Sequence, residues 1–102
     1  MNQLEEVKLK LEMQRGQKAA ELLNEELLVE AFDLMNNRLK SEWELSPARD
    51  TEGRERLWLM LKLLKNVQDH LQEVLMTGKM ASIKLEQERT IKQKMAEYLK
   101  SL

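Results

Sequence analysis

Apolar residues between positions 57 and 75 follow a heptad rhythm. Leu57, Met60, Leu64, Val67, Leu71 and Val74 are separated by steps of 3, 4, 3, 4 and 3. An average period of 3.5 marks the a/d seam of a helix that packs against another helix. Upstream, Leu28, Phe32, Met35, Leu39 and Trp43 step by 4, 3, 4 and 4, and Leu27 and Ala31 widen the stripe. That spacing predicts a second amphipathic helix.

Local signals bound these two helices. Asn24 reads as the N-cap of the first, with Glu25 and Glu26 in the opening turn where carboxylates suit the helix dipole. Pro47 disfavours the helical conformation at Ser46, so the helix ends near Leu45. Asp50 or Thr51 caps the next helix. Its end is read at Thr77-Gly78, with Gly78 as a left-handed cap; the competing reading carries the helix straight on into the tail. The predicted helices cover about 24–45 and 51–77. The short loop between them makes them antiparallel neighbours, a helical hairpin. Pairing residues whose numbers sum to about 97 sets Leu39 near Leu57, Met35 near Leu61, Phe32 near Leu64 and Leu28 near Val67 and His70. Trp43 and Trp58 then share the closed end.

Helical arms flank the hairpin. Residues 1–23 carry the stripe Leu4, Val7, Leu11 and Met13, with Leu9 off it and Gly16 interrupting at a cost of about 1 kcal/mol relative to Ala. This arm is the most polar segment, expected to fray or to order on binding. Residues 79–102 carry Ile91, Met95, Tyr98 and Leu102, with Glu88 and Lys92 placed to pair at i,i+4. The whole, 1–102, is read as a single all-α domain with coiled-coil-like packing.

The helix over 51–77 has more apolar surface than one partner covers. Trp58, Leu61, Leu63 and Leu75 fall outside the a/d seam. With Trp43 they are the expected protein interface, because a helix apolar nearly all round is buried from several sides.

Composition supports the helical class. Gly occurs three times and Pro once, and aromatics make up 4% of the chain. Leu, Met, Ala, Glu, Lys, Gln and Arg are strong helix formers. The absence of cysteine excludes disulfides, Cys-based zinc sites and thiol catalysis. The start of the chain has neither the basic nor the apolar region of a signal peptide, and the near-apolar run 57–64 is too short to span a bilayer.

Charge changes the picture at the ends. The net charge is −1, yet residues 1–50 carry 7 basic and 11 acidic groups, and residues 79–102 carry 6 basic and 3 acidic. Head-to-tail complementarity between helices or subunits is the ordinary reading. A basic arm for nucleic acid, through Lys84, Arg89, Lys92 and Lys94, is the sharper and less favoured one.

No constellation for catalysis is present. His70 is the only histidine, and scattered carboxylates do not complete a zinc site. There is no Gly-rich phosphate loop, nucleophile elbow or HExxH motif. Around the hairpin turn, Glu42, Glu44, Asp50, Glu52 and Glu55 mix with Arg49, Arg54 and Arg56. An ion-pair lattice that fixes the turn is expected, with a partner-recognition loop through the three arginines as the alternative. No metal, cofactor or small-molecule substrate is implied.

The runs LLVEAFDLM (27–35) and SEWELSPARDTEGRERLWLMLKLLKNVQDHLQEVLMTGKMA (41–81) resemble small helical proteins of tailed bacteriophages and prophages. A segment like SPARDTEGRERLW links two helices there, and one like GKMA follows the second. The resemblance covers about half of the chain and implies no catalytic residues. It implies a phage setting, in the host cytoplasm or the particle, and a role around assembly or DNA packaging. The chain is therefore expected to be a non-enzymatic, homo-oligomeric assembly or accessory protein that meets itself or other phage proteins. A small-terminase-like DNA-packaging subunit and an inhibitor docked on a host enzyme are the alternatives.

Overall fold

In the computed structural model, which describes residues 1–102, the chain forms three α-helices. These are α1 (Gln3–Leu23), α2 (Glu26–Leu45) and α3 (Thr51–Ser101), with no strand. None is long and apolar enough to cross a membrane.

The helix ends follow from local chemistry. Asn2 caps α1: its Oδ1 accepts from the Glu5 backbone N–H at 2.7 Å, and its Nδ2 donates to Glu5 Oε1 at 3.2 Å. The two residues thus bond reciprocally, with the Glu5 carboxylate taking the Asn2 side-chain amide in place of the backbone N–H used in a capping box. Glu25, not Asn24, occupies the N-cap position of α2, and it makes no side-chain cap hydrogen bond. The backbone N–H groups of Asn24 and Glu25 close the end of α1 by donating to Glu21 and Leu22 carbonyls. Asn24 thus belongs to the turn that terminates α1, which leaves it one residue short of the cap.

Ser46 ends α2 in extended conformation (φ −71°, ψ 140°), as favoured for a residue before proline. Pro47–Asp50 closes as a turn, with Asp50 N–H donating to the Pro47 carbonyl at 3.0 Å. Asp50 Oδ1 then accepts from Gly53 N–H at 3.1 Å and caps α3.

The stop at Thr77-Gly78 is not made. α3 runs unbroken from Thr51 to Ser101, and no residue of the chain has positive φ. Gly78 serves a different purpose. A β-carbon there would stand 2.6 Å from the Gly16 α-carbon, and one on Gly16 would stand 2.7 Å from that of Gly78. Both glycines permit two helix backbones to touch.

The chain divides into two compact units: Met1–Ala20 with Glu73–Leu102, and Glu21–Gln72. In the first, Gly16, Ala19, Gly78 and Ala81 are buried, and Leu9, Met13, Leu75 and Leu85 are half-buried. This corrects the expected stripe of α1. Leu4, Val7 and Leu11 are exposed, Leu4 by 80%. The close glycine contact dictates which side of α1 meets α3, and Leu4, Val7 and Leu11 lie on the other side. Glu88 does not pair with Lys92. Its Oε1 is 3.3 Å from the Met1 amino group, while Glu86 takes Arg89 at 2.7 Å.

The second unit is the hairpin, and its register agrees with a fold-back centred on residues 48 and 49. Arg54 lies against Trp43, and one groove is lined by Asn36 with Leu61 and by Lys40 with Trp58. Leu39 is buried; Leu28, Phe32 and Asn36 on α2 and Leu57, Leu61, Leu64, Gln68 and Leu71 on α3 are half-buried. The seam on α3 therefore turns by one flank from the expected set. Leu57, Leu64 and Leu71 stay in it, Leu61 and Gln68 join it, and Met60 and Val67 are exposed. Arg54 reaches into the turn, so the row Arg54–Leu57–Leu61–Leu64–Gln68–Leu71 faces α2. The polar Gln68 hides that row in a hydropathy pattern.

Candidate functional site: an open apolar face on the hairpin

The turn that holds α2 and α3 is fastened by one side chain. Arg54 Nη1 donates to the Trp43 carbonyl (3.2 Å), the Ser46 carbonyl (3.2 Å) and Ser46 Oγ (2.9 Å). Its guanidinium carbon sits 4.1 Å from the Trp43 ring centroid. Ser46 Oγ in turn donates to the Trp43 carbonyl at 2.6 Å. The last carbonyls of a helix lack partners of their own, and a planar guanidinium can satisfy two of them at once. The expected ion-pair lattice is absent: none of the four ion pairs of the chain involves residues 42–56. Arg54 is occupied by carbonyls and a ring, while Arg49 and Arg56 are exposed.

The contact rows fix where the remaining faces of the hairpin lie. Successive helical residues turn by about 100°. Leu27, Ala31 and Met35 on α2 lie on one flank of its contact row, with Leu34 at that flank's outer edge. Met60, Leu63 and Val67 on α3 lie about as far round, in the same rotational sense. In an antiparallel pair, equal turns of the same sense point to the same side. These residues therefore share one face. The opposite turn gathers Asp33, Asn37 and Lys40 with Trp58, Lys62 and Lys65, and these line a single groove together. One side of the hairpin is thus lined by polar residues around Trp58, and the other gathers exposed aliphatic residues with Arg38, Glu42 and Arg56 among them.

The apolar side is open. Leu34 is 62% exposed and Leu63 66%, and Leu27, Met35, Met60 and Val67 are exposed as well. Against this stands one buried apolar residue in the unit, Leu39.

The residues expected to form an interface divide between roles. Leu61 and Leu75 are half-buried in contact rows, one in each unit. Trp43 is committed to Arg54. Trp58 lies on the polar side, with Lys62 Nζ 5.3 Å from its ring centroid. Only Leu63 belongs to the open apolar face. Leu34 and Met60 complete that face, and hydropathy spacing alone does not reveal them, because it places the seam one flank away.

The basic residues of the tail converge only in part. Lys84, Arg89, Lys92 and Lys94 are exposed; Arg89 and Lys92 line one groove with Glu6 and Lys10, and Lys84 and Lys94 lie outside it. Arg89 is bound to Glu86, whose hydrogen bond and charge hold its guanidinium above the usual value. His70 is exposed.

No protein-family model, no curated protein and no solved structure matches this chain.

Proposed function

We propose that this chain is a non-enzymatic subunit or accessory protein that works by helix–helix association, in the setting of bacteriophage assembly. The observation that carries the reading is the apolar face of the hairpin, with Leu34 and Leu63 more than half exposed beside a core in which only Leu39 is buried. An isolated two-helix pair with so little interior needs cover from another surface, and contiguous apolar exposure of this kind marks association sites. The phage setting is supported by the resemblance of residues 27–35 and 41–81 to small helical phage proteins.

Light scattering coupled to size exclusion tests the reading. Association is expected across the micromolar range. A folded monomer throughout that range, with no phage protein captured from an infected-cell lysate, overturns it.

A further inference from the structure

The apolar face of the hairpin carries more than greasy side chains, and its charges say how it is covered. Arg56 on α3 and Glu42 on α2 lie on the same flank as Leu63 and Met35, near the closed end and at the same height. Both are exposed, and neither takes part in an ion pair within the chain. Resting on the reading of this chain as a self-associating protein, we propose that a second copy of the chain covers this face in parallel. The two-fold axis runs along the helices, α2 of each copy lies on α3 of the other, and Glu42 of each copy pairs with Arg56 of the other.

Three features lead to this arrangement. A two-fold interface uses the same patch twice, so the patch must complement itself. Here α2 and α3 present apolar stripes at matching offsets from their contact rows, so either helix can serve as the other's partner. An axis along the helices keeps heights equal across the interface. It sets Leu34 against Leu63 of the second copy, Ala31 against Val67, and Glu42 against Arg56. Four helices then enclose the seven-residue rhythm of both seams, in the manner of a four-helix bundle.

The alternative two-fold arrangement is worse. An axis across the helices lays α2 on α2 and α3 on α3, running in opposite directions. With Leu63 set against itself, Arg56 meets His70 of the second copy. Of the two basic residues of α2, Lys40 lies on the polar side and Arg38 on this face, but in this arrangement Arg38 stays about three turns from the height of Glu42. The Glu42–Arg56 complement thus separates orientations that the apolar residues accept equally; Arg38, on the same flank at the height of Met60, carries its guanidinium to the rim on its long stem. Such selection by complementary charge is the usual device for fixing partner orientation.

Charge reversal tests the pairing. Glu42→Arg places two basic groups where the copies meet, and Arg56→Glu places two acidic groups there. Each variant alone is expected to associate at least about tenfold more weakly than the unmodified chain, since like charges face each other across the interface. Mixed in equal amounts, the two variants recover association. The arginine introduced at position 42 of one variant then faces the carboxylate introduced at position 56 of the other. The native Arg56 of the first and the native Glu42 of the second pair as in the unmodified chain. Circular dichroism of each variant checks that the helices are intact. Leu63→Lys, at a position already exposed in the single chain, keeps helicity and abolishes association.

The possible outcomes are distinct. If the unmodified chain associates but the reversed variants do so equally well, or do not complement each other, the pairing and orientation are overturned. Association of Leu63→Lys at the strength of the unmodified chain overturns the face itself. In all three cases the assembly reading stands. A chain that stays monomeric overturns that reading and this proposal with it.

Discussion

Gly16 and Gly78 meet backbone to backbone, and neither has room for a methyl group. The nearest atom to a β-carbon on Gly78 is the Gly16 α-carbon at 2.6 Å, followed by the Glu12 carbonyl oxygen at 3.0 Å. Backbone atoms cannot swing aside as side chains do. Gly→Ala inside a helix ordinarily stabilises by about 1 kcal/mol. Here overpacking costs about 1–3 kcal/mol and reverses the sign. Gly78→Ala is therefore expected to lower Tm by several degrees, at about 4–8 °C per kcal/mol for a domain of this size. Thermal unfolding followed by circular dichroism reads this directly, and a raised Tm would show that the two helices part without cost.

Arg54 is the fastener of the hairpin turn. Arg54→Ala removes three hydrogen bonds and the stacking on Trp43. The expected loss is about 1–3 kcal/mol, because the carbonyls at the end of α2 stay within reach of water. Arg54→Lys recovers only part of it: the three hydrogen bonds all come from one nitrogen, which an ammonium can imitate, but the flat stacking on the Trp43 ring is lost. The tryptophan emission spectrum, through Trp43, reports the change locally. Equal stability of the Ala and native forms in urea would dismiss this role.

Acid should loosen the start of α1 through Glu6. The hydrogen bond from Lys10, and then its charge, hold the Glu6 carboxyl below its ordinary value of 4.5. A carboxylate with a depressed folded-state value contributes fully above its unfolded value, and that contribution is lost as pH falls through the folded one. The contribution is therefore present at neutral pH and lost in the acid range below 4.5. Both partners are exposed to solvent to a large degree, so the effect is local and salt-sensitive. Carboxyl chemical shifts across a pH titration should place the Glu6 midpoint below that of a model peptide. Lys10→Met should raise it, and an unchanged midpoint in that variant refutes the pairing.

The hairpin is legible in the sequence because its signals are local. Pro47 ends the helix that precedes it, Asp50 caps the next, and a loop this short leaves only an antiparallel return. The seam of α3 lies one flank from where hydropathy puts it, for a physical reason. Met60 and Val67 extend an unbroken apolar row, whereas the row that faces α2 contains Arg54 and Gln68. Hydropathy counts residues on a face, but the turn decides which face points inward. α1 departs in a similar way. Leu4, Val7 and Leu11 form the more apolar stripe, yet the helix is held by Gly16 and Ala19, whose merit is their small size. Gly78 misleads for the same cause: a glycine that admits another backbone looks, in sequence, like a glycine that stops a helix. The apolar face with Leu34 and Met60 depends on these rotations, since it consists of what the contact rows leave over.

The division of the chain into a continuous unit and a split one bears on the order in which it folds. Glu21–Gln72 is an unbroken segment, and its contacts close over a single short loop. The other unit joins Met1–Ala20 to Glu73–Leu102 and so closes only across the whole segment between them. Contacts between near neighbours in sequence form fastest, because little loop entropy is lost in closing them. The hairpin is therefore expected to form first, while α1 still lacks its partner. On refolding from denaturant, its open face is thus bare to solvent before α1 docks, and that is the stage at which two copies of the hairpin can first meet.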